Sequence, residues 1–176
     1  PKYMKSVMGD FMLPNIPEYI KNTDRERAFL IDHYWDCYPY DDSAFVKKDN
    51  SEQILADFLG MSRAVPDTKT AASLQKALER ADYSGKYVSN RLQKLFLHYI
   101  DDPVSMYFNR SIDIAIHKQI LKSPHIDKAD STRYAYRLKM LQKNMEGKKC
   151  TNFKFITREG KEMTLHDIKA NFTILY

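Results

Sequence analysis

Apolar residues recur along most of this chain at the three-to-four-residue spacing of amphipathic helices. Ala28, Ile31, Trp35 and Tyr38 form one stripe, closed by Pro39. Ahead of it, Thr23 and Glu26 have capping-box spacing, a hydroxyl for one end and a returning carboxylate for the other. Asp49-Asn50-Ser51-Glu52 offers a second start; Ile54, Leu55, Phe58 and Leu59 follow, and Gly60 ends the run. Leu74, Ala77, Leu78 and Ala81 make a third stripe that closes at Ser84 and Gly85. Val88, Leu92, Leu95, Phe96 and Tyr99 make a fourth, up to Asp101.

Asp102-Pro103 has the form of an N-cap followed by proline at the first helical position. Ile112, Ala115, Ile116 and Ile120 continue from there to Ser123-Pro124. Asp127 or Asp130 caps the last long helix, which carries Tyr134, Leu138, Leu141 and Met145 along one side, with Gly147 at the C′ position. Upstream, the twice proline-broken segment 11–17 reads as an extended arm laid on the core, followed by a short helix through Tyr19 and Ile20. Residues 15–146 thus read as about seven helices, each long one with a single apolar face. The fold class is mainly α, an irregular helical bundle followed by a short β-rich tail. No fixed repeat period supports a solenoid.

After Gly147 the period changes. Residues 151–157 alternate and are rich in β-formers, 158–161 read as a turn, and Met163, Thr164 and Leu165 as a second extended piece. A helical turn over 166–169 and a strand-like run over 172–176 complete the tail. That run ends the chain as an apolar strand with no partner, so the sequence is expected to continue beyond Tyr176. It opens at Pro1, which implies that a natural start has been removed. The division expected is a helical domain over 1–146 and a β-rich piece over 147–176.

With 176 residues, 43% apolar and 29% charged, the composition is globular. Five glycines and seven prolines leave no room for long low-complexity linkers, and no run approaches the roughly 18 apolar residues of a spanning helix. Two cysteines, Cys37 and Cys150, are too few for a disulfide scaffold or a four-cysteine zinc site. The net charge of +5 is uneven: residues 1–88 sum to −2 and residues 89–176 to +7. Such a basic half suits nucleic acid, an anionic surface or an acidic partner, but its plainest reading is a solvated helix face.

Candidate chemistry is sparse. His33 and Cys37 are four apart, as are Asp32 and Asp36, but no third ligand accompanies them. The cluster reads as structural, with Trp35 in the core, His33 bonded to backbone or carboxylate, and Asp36 capping or pairing locally. Asp113 and His117 have the spacing of a catalytic dyad but lack a nucleophile, and read as an ordinary helix-surface pair. His98, beside Asp101 and Asp102, balances charge at a helix C-terminus. Arg133, Arg137, Lys139, Lys143, Lys148 and Lys149 have the charge to grip phosphates, with Tyr134 and Tyr136 nearby to stack on bases, yet no nucleic-acid-binding signature surrounds them. No catalytic, cofactor or metal residue is therefore assigned. Twelve tyrosines favour a protein-contact role, because the ring packs while the hydroxyl stays wet.

Two resemblances add context. The tail from Gly147 to Tyr176, with Phe153 and Phe155, Gly160-Lys161, Thr164-Leu165, Asp167-Ile168-Lys169 and Ile174-Leu175, resembles the opening of a TlpA/ResA-type thioredoxin-like domain. Cys150 stands where that family usually has Ala, and Asn152 where it has Asp. The runs Leu13-Pro14-Asn15-Ile16-Pro17, Arg27-Ala28-Phe29-Leu30 and His33-Tyr34-Trp35-Asp36, with 103–110, resemble an uncharacterised helical domain. That domain precedes thioredoxin-like domains in exported, often lipid-anchored proteins of Gram-negative gut bacteria. The resemblance implies a periplasmic or outer-membrane-anchored parent with a Cys-x-x-Cys redox pair beyond Tyr176. This chain has no Cys-x-x-Cys, and neither of its cysteines matches a catalytic position of that family.

The function expected is a non-catalytic N-terminal helical module of a thiol–disulfide oxidoreductase, used for docking, spacing or dimerisation. Its partners are then the thioredoxin-like domain of the same parent, and a substrate protein or a second copy. Nucleic acid is not expected, and a membrane is expected only through a lipid anchor outside this sequence. A small-molecule-binding helical domain and an independent adaptor are the alternatives. A docking module is expected to show a contiguous exposed aromatic patch, and a ligand binder a concave pocket on the order of several hundred Å³ with converging polar groups.

Overall fold

The computed structural model describes residues 3–5, 12–20, 22–42, 45–46, 50–170 and 173. The chain divides into two compact units, Pro1–Leu141 and Gln142–Tyr176. The first unit is mainly helical. A short antiparallel pair, β1 (Tyr3–Lys5) and β2 (Met12–Pro14), precedes the helices. Among the described residues six α-helices follow, not seven: α1 (Thr23–His33), α2 (Asn50–Ser62), α3 (Asp67–Ser84), α4 (Lys86–Ile100), α5 (Arg110–Ile120) and α6 (Lys128–Leu141). The short helix expected at Tyr19 and Ile20 is a single turn, closed by the Ile20 amide on the Pro17 carbonyl at 2.9 Å. The arm is β2, with Leu13 packed on the core.

Several boundaries depart from the sequence reading. Asn22, not Thr23, caps α1, accepting from the Asp24 amide at 2.9 Å and the Arg25 amide at 3.3 Å. The Trp35 stripe is not one helix: α1 gives way to a 3-10 segment, Tyr34–Cys37, and Tyr38 is extended. Gly60 lies inside α2, because burial of Phe58, Leu59 and Ser62 outweighs the small helix penalty of glycine. Asp102-Pro103 starts no helix: the Asp102 carboxylate accepts from the Val104 amide at 2.9 Å in a local turn. Asn109 is the cap of α5, accepting from Ser111 and Ile112 amides at 2.9 and 3.2 Å. Asp127 caps α6 by accepting from the Asp130 amide at 2.8 Å. α6 stops at Leu141, so Gly147, with φ +70°, serves a later turn and not the helix C′ position.

α3 is the central helix, packed on α1, α4 and α5. Trp35 is 1% exposed and sits among Tyr34, Tyr38, Phe58 and Phe96, with ring centroids 5.3 to 5.6 Å away. Such tilted and edge-on aromatic contacts add to the gain from area burial. The phenol hydroxyls are placed as well: Tyr34 donates to the Ile54 carbonyl at 2.9 Å, and Tyr38 lies 2.8 Å from the Ser51 hydroxyl. α4 and α6 both pack on α5 and leave a groove between them.

In the second unit, β3 (Lys154–Ile156) and β4 (Glu162–Thr164) form an antiparallel hairpin with Phe155 opposite Met163. Gly160, at φ +78°, takes the left-handed position its turn demands. A capping box follows, with Asp167 accepting from the Thr164 amide and hydroxyl at 2.8 Å, over a 3-10 turn Leu165–Asp167. Leu165 therefore belongs to that turn and not to the strand. The run expected over 172–176 falls, but for Thr173, outside the described residues.

Candidate functional site

The groove between α4 and α6 is an open trough of about 540 Å³. Its floor is apolar, made by Leu97, Tyr134 and Met140, and its rim is cationic, made by Lys94, Arg133 and Arg137, with His98 beside them. Helical spacing places these groups together. Tyr87, Arg91, Lys94 and His98 recur along one stripe of α4, opposite the buried Val88, Leu92 and Phe96. Arg133, Arg137 and Met140 do the same on α6.

Behind the groove lies a buried charge network. His117 and Asp113 are both fully buried, which overturns the expectation of a helix-surface pair. The cause is that α5 is covered by three helices, α3, α4 and α6. His117 Nδ1 lies 2.7 Å from Asp113 Oδ1 and 3.1 Å from the Asp113 carbonyl oxygen. Since a carbonyl only accepts, Nδ1 carries the proton. Nε2 meets no hydrogen-bond partner among the described residues. Burial pushes the Asp113 carboxyl above the usual range; the hydrogen bond and charge of His117, and the charge of Arg137, oppose that shift without cancelling it. The Tyr134 ring stands edge-on to the imidazole at 5.7 Å.

Arg137 joins this network to the groove. Its guanidinium pairs with the Asp101 carboxylate, donates to the Asp101 carbonyl at 2.8 Å and lies 3.8 Å from Asp113 Oδ2. Asp101, Asp113 and His117 offer metal-ligand atoms within 4.8 Å of one another. Arg137 already supplies positive charge there, and a cation beside a guanidinium is repelled. The cluster suits an ion-pair network better than a metal. Arg133 pairs with Asp130 at 2.8 Å and lies over the Tyr134 ring at 4.8 Å. Both arginines that the sequence offered for phosphate contact are thus engaged within the unit.

The other candidate residues are dispersed. His33 Nδ1 lies 2.7 Å from Asp36 Oδ2, and Asp36 also pairs with Lys76 at 3.0 Å and Arg80 at 2.7 Å. Burial raises the Asp36 carboxyl, but the His33 and Lys76 hydrogen bonds and the Lys76 and Arg80 charges more than reverse this, leaving it below its usual range. Asp32 pairs with Lys69 at 2.7 Å. Cys37 is half-buried against the core, which fits the structural reading of this cluster. His98 lies in the last turn of α4, edge-on to Tyr99 at 5.3 Å, and lines the groove. Exposed Cys150 has its sulfur 3.7 Å from His166 Nε2, which also meets the Cys150 carbonyl oxygen at 3.0 Å. Both cysteines are unbridged thiols.

Sequence reasoning missed a second polar cluster. The Asp82 carboxylate accepts from the hydroxyls of Ser89 and Ser123, Gln93 donates to Ser89 at 2.8 Å, and His125 Nε2 lies 3.0 Å from the Asp82 carbonyl. Both hydroxyls are buried and donate to one carboxylate, so this knot ties α3, α4 and the segment after α5 together. Ser89 and Gln93, four apart on the buried side of α4, were the available signal.

Residues 1–144 match the model of a family described as a domain of unknown function, DUF5106. The chain belongs to the DUF5106 family. The DUF5106 match takes in all six helices and stops before β3. No curated protein matches this DUF5106 chain. Among solved structures it is similar to a thioredoxin-like protein from Bacteroides caccae, at 26% identity and a TM-score of 0.78. That match covers 92% of this chain and 58% of the other, so the chain spans little more than half the length of that relative.

Proposed function

We propose that the helical unit is a non-catalytic docking module, N-terminal to a thioredoxin-like domain in a longer parent protein. The groove between α4 and α6 carries this reading. It is an open trough with an apolar floor and a cationic rim; of the tyrosines lining it Tyr136 is 65% exposed and Tyr134 is buried, so the exposed aromatic surface is one ring rather than a contiguous patch. Such a surface suits a polypeptide better than a small molecule, which is normally enclosed on most sides. The thioredoxin-like relative supports the parent, as does the resemblance of 147–176 to the opening of such a domain. The chain's lack of a Cys-x-x-Cys agrees with chemistry performed elsewhere. A periplasmic or outer-membrane-anchored location belongs to the same proposal and rests on the resemblance alone.

The test is a photo-crosslinking residue at position 136 of the full parent, with a defined disulfide-bonded protein trapped as a mixed disulfide. A crosslink between that protein and the groove is expected. A trapped complex that crosslinks at the thioredoxin-like domain but not at 136 contradicts docking in this groove.

A further inference from the structure

The groove between α4 and α6 is one of three depressions that share Lys94. A second, of about 570 Å³, is lined by Lys86, Tyr87, Asn90 and Arg91. A third, of about 260 Å³, lies among Glu52, Arg91, Leu95 and His98. Together they run the length of α4. The charges along them are not alike in their engagement. Arg133 and Arg137 are paired with carboxylates of the same unit. Lys86, Arg91 and Lys94 form no ion pair among the described residues, and Arg91 Nε is buried without a hydrogen-bond partner. On α3, Lys69, Lys76 and Arg80 all find carboxylates, whereas the three cations of this α4 stripe do not. Glu52 and Asp101 are the only carboxylates among these lining residues, and Asp101 is taken by Arg137.

From this we infer that the α4 face binds an extended, acidic polypeptide segment carrying an apolar side chain. Its carboxylates would meet Lys86, Arg91 and Lys94, and its apolar group would rest on Leu97, Tyr134 and Met140. From Tyr87 to His98 the helix rises about 16 Å, the reach of about five residues of extended chain. Arg137 is held in place by Asp101 before anything binds, which lowers the ordering cost at that end. This inference rests on the docking reading and adds the chemistry of the partner.

The test measures binding of labelled octapeptides to the full 176-residue chain by fluorescence anisotropy. One probe is rich in Asp and Glu with a central Phe, one replaces the acids by Lys, and one lacks the Phe. The acidic Phe peptide is expected to bind at least about tenfold tighter than the basic one, and Lys94→Glu to weaken it by about tenfold. Its affinity should fall as ionic strength rises from about 0.05 M to about 0.5 M. Lys128→Glu, at an exposed position outside the groove, should leave it unchanged. Equal binding of acidic and basic probes, or equal losses in the two variants, would overturn the inference. So would displacement of the acidic peptide by single-stranded DNA of matched charge at equal or lower concentration. A crosslink at position 136 without acidic-peptide binding removes this partner and leaves docking standing; failure of both removes docking as well.

Discussion

His117 Nδ1 lies 2.7 Å from Asp113 Oδ1, one helical turn away on α5, with both side chains fully buried. A carboxylate in that position loses its hydration and regains only part of it from its neighbours. His117 faces it from its own helix, and Arg137 reaches it at 3.8 Å from α6. Asp101, at the end of α4, adds like charge. The network thus ties three helices at the back of the groove, and it holds Arg137 on the groove's rim.

The sign of its pH dependence follows from the raised Asp113 carboxyl. A folded-state value above the unfolded one means that the fold favours the protonated acid. The stabilisation is complete below the unfolded value and is lost as pH rises through the folded one. The stability of the wild type relative to Asp113→Asn should therefore decline as pH rises through and just above the usual carboxylate range. Urea unfolding of both proteins across that range checks this. A relative gain for the wild type with rising pH would mean that His117 and Arg137 dominate over burial.

Asn109 positions this helix. Its side-chain oxygen accepts from two α5 amides, while its nitrogen donates to Asp67 at 2.8 Å in the first turn of α3. Asn109→Ala should cost about 1 to 2 kcal/mol, because both the cap and the tie are lost. Chemical denaturation reads this directly, and a loss near zero would show that solvent serves the α5 N-terminus equally well.

Gly60 is helical, and a Cβ built there meets nothing within 4 Å. Gly60→Ala should stabilise the protein by about 0.5 to 1 kcal/mol, chiefly by restricting the unfolded chain. A higher midpoint at unchanged denaturant slope is the expected result. A lower midpoint would argue that α2 needs glycine for a reason other than space.

The β3–β4 hairpin has two three-residue strands, and Lys154, Ile156 and Glu162 are exposed. A two-stranded hairpin is marginal in water. Its amides should exchange much faster than those of α3 and α4 around Leu74 and Leu92, which are 0% exposed. Equal protection in a monomer would contradict this.

The helical architecture was legible because packing writes one stripe per helix. Trp35 reads as core from its stripe even though, in the structure, that stripe runs from α1 into the 3-10 segment after it. The buried Asp113–His117 pair was not legible, and the reason is geometric. Asp113 and His117 sit one residue, about 100°, beyond Ile112 and Ile116. On a helix with one covered face that position is solvent. α5 is covered on more than one face, and only its tertiary neighbours α3, α4 and α6 reveal it. Caps were misplaced for a related reason: Thr23 and Asp102 are as able to cap as Asn22 and Asn109, and the choice between them depends on where the packed helix begins. The groove was foreshadowed only by the count of tyrosines and the basic C-terminal half.

The most direct test of the docking proposal uses the longer thioredoxin-like parent that the proposal entails and compares a disulfide-bonded protein with a small organic disulfide as substrates. Lys94→Glu combined with Tyr136→Ala alters two exposed side chains beside the groove. The account predicts that kcat/KM for the protein substrate falls by about tenfold through KM, with turnover of the small disulfide unchanged. Unchanged turnover of both substrates, or an equal loss for both, would contradict it.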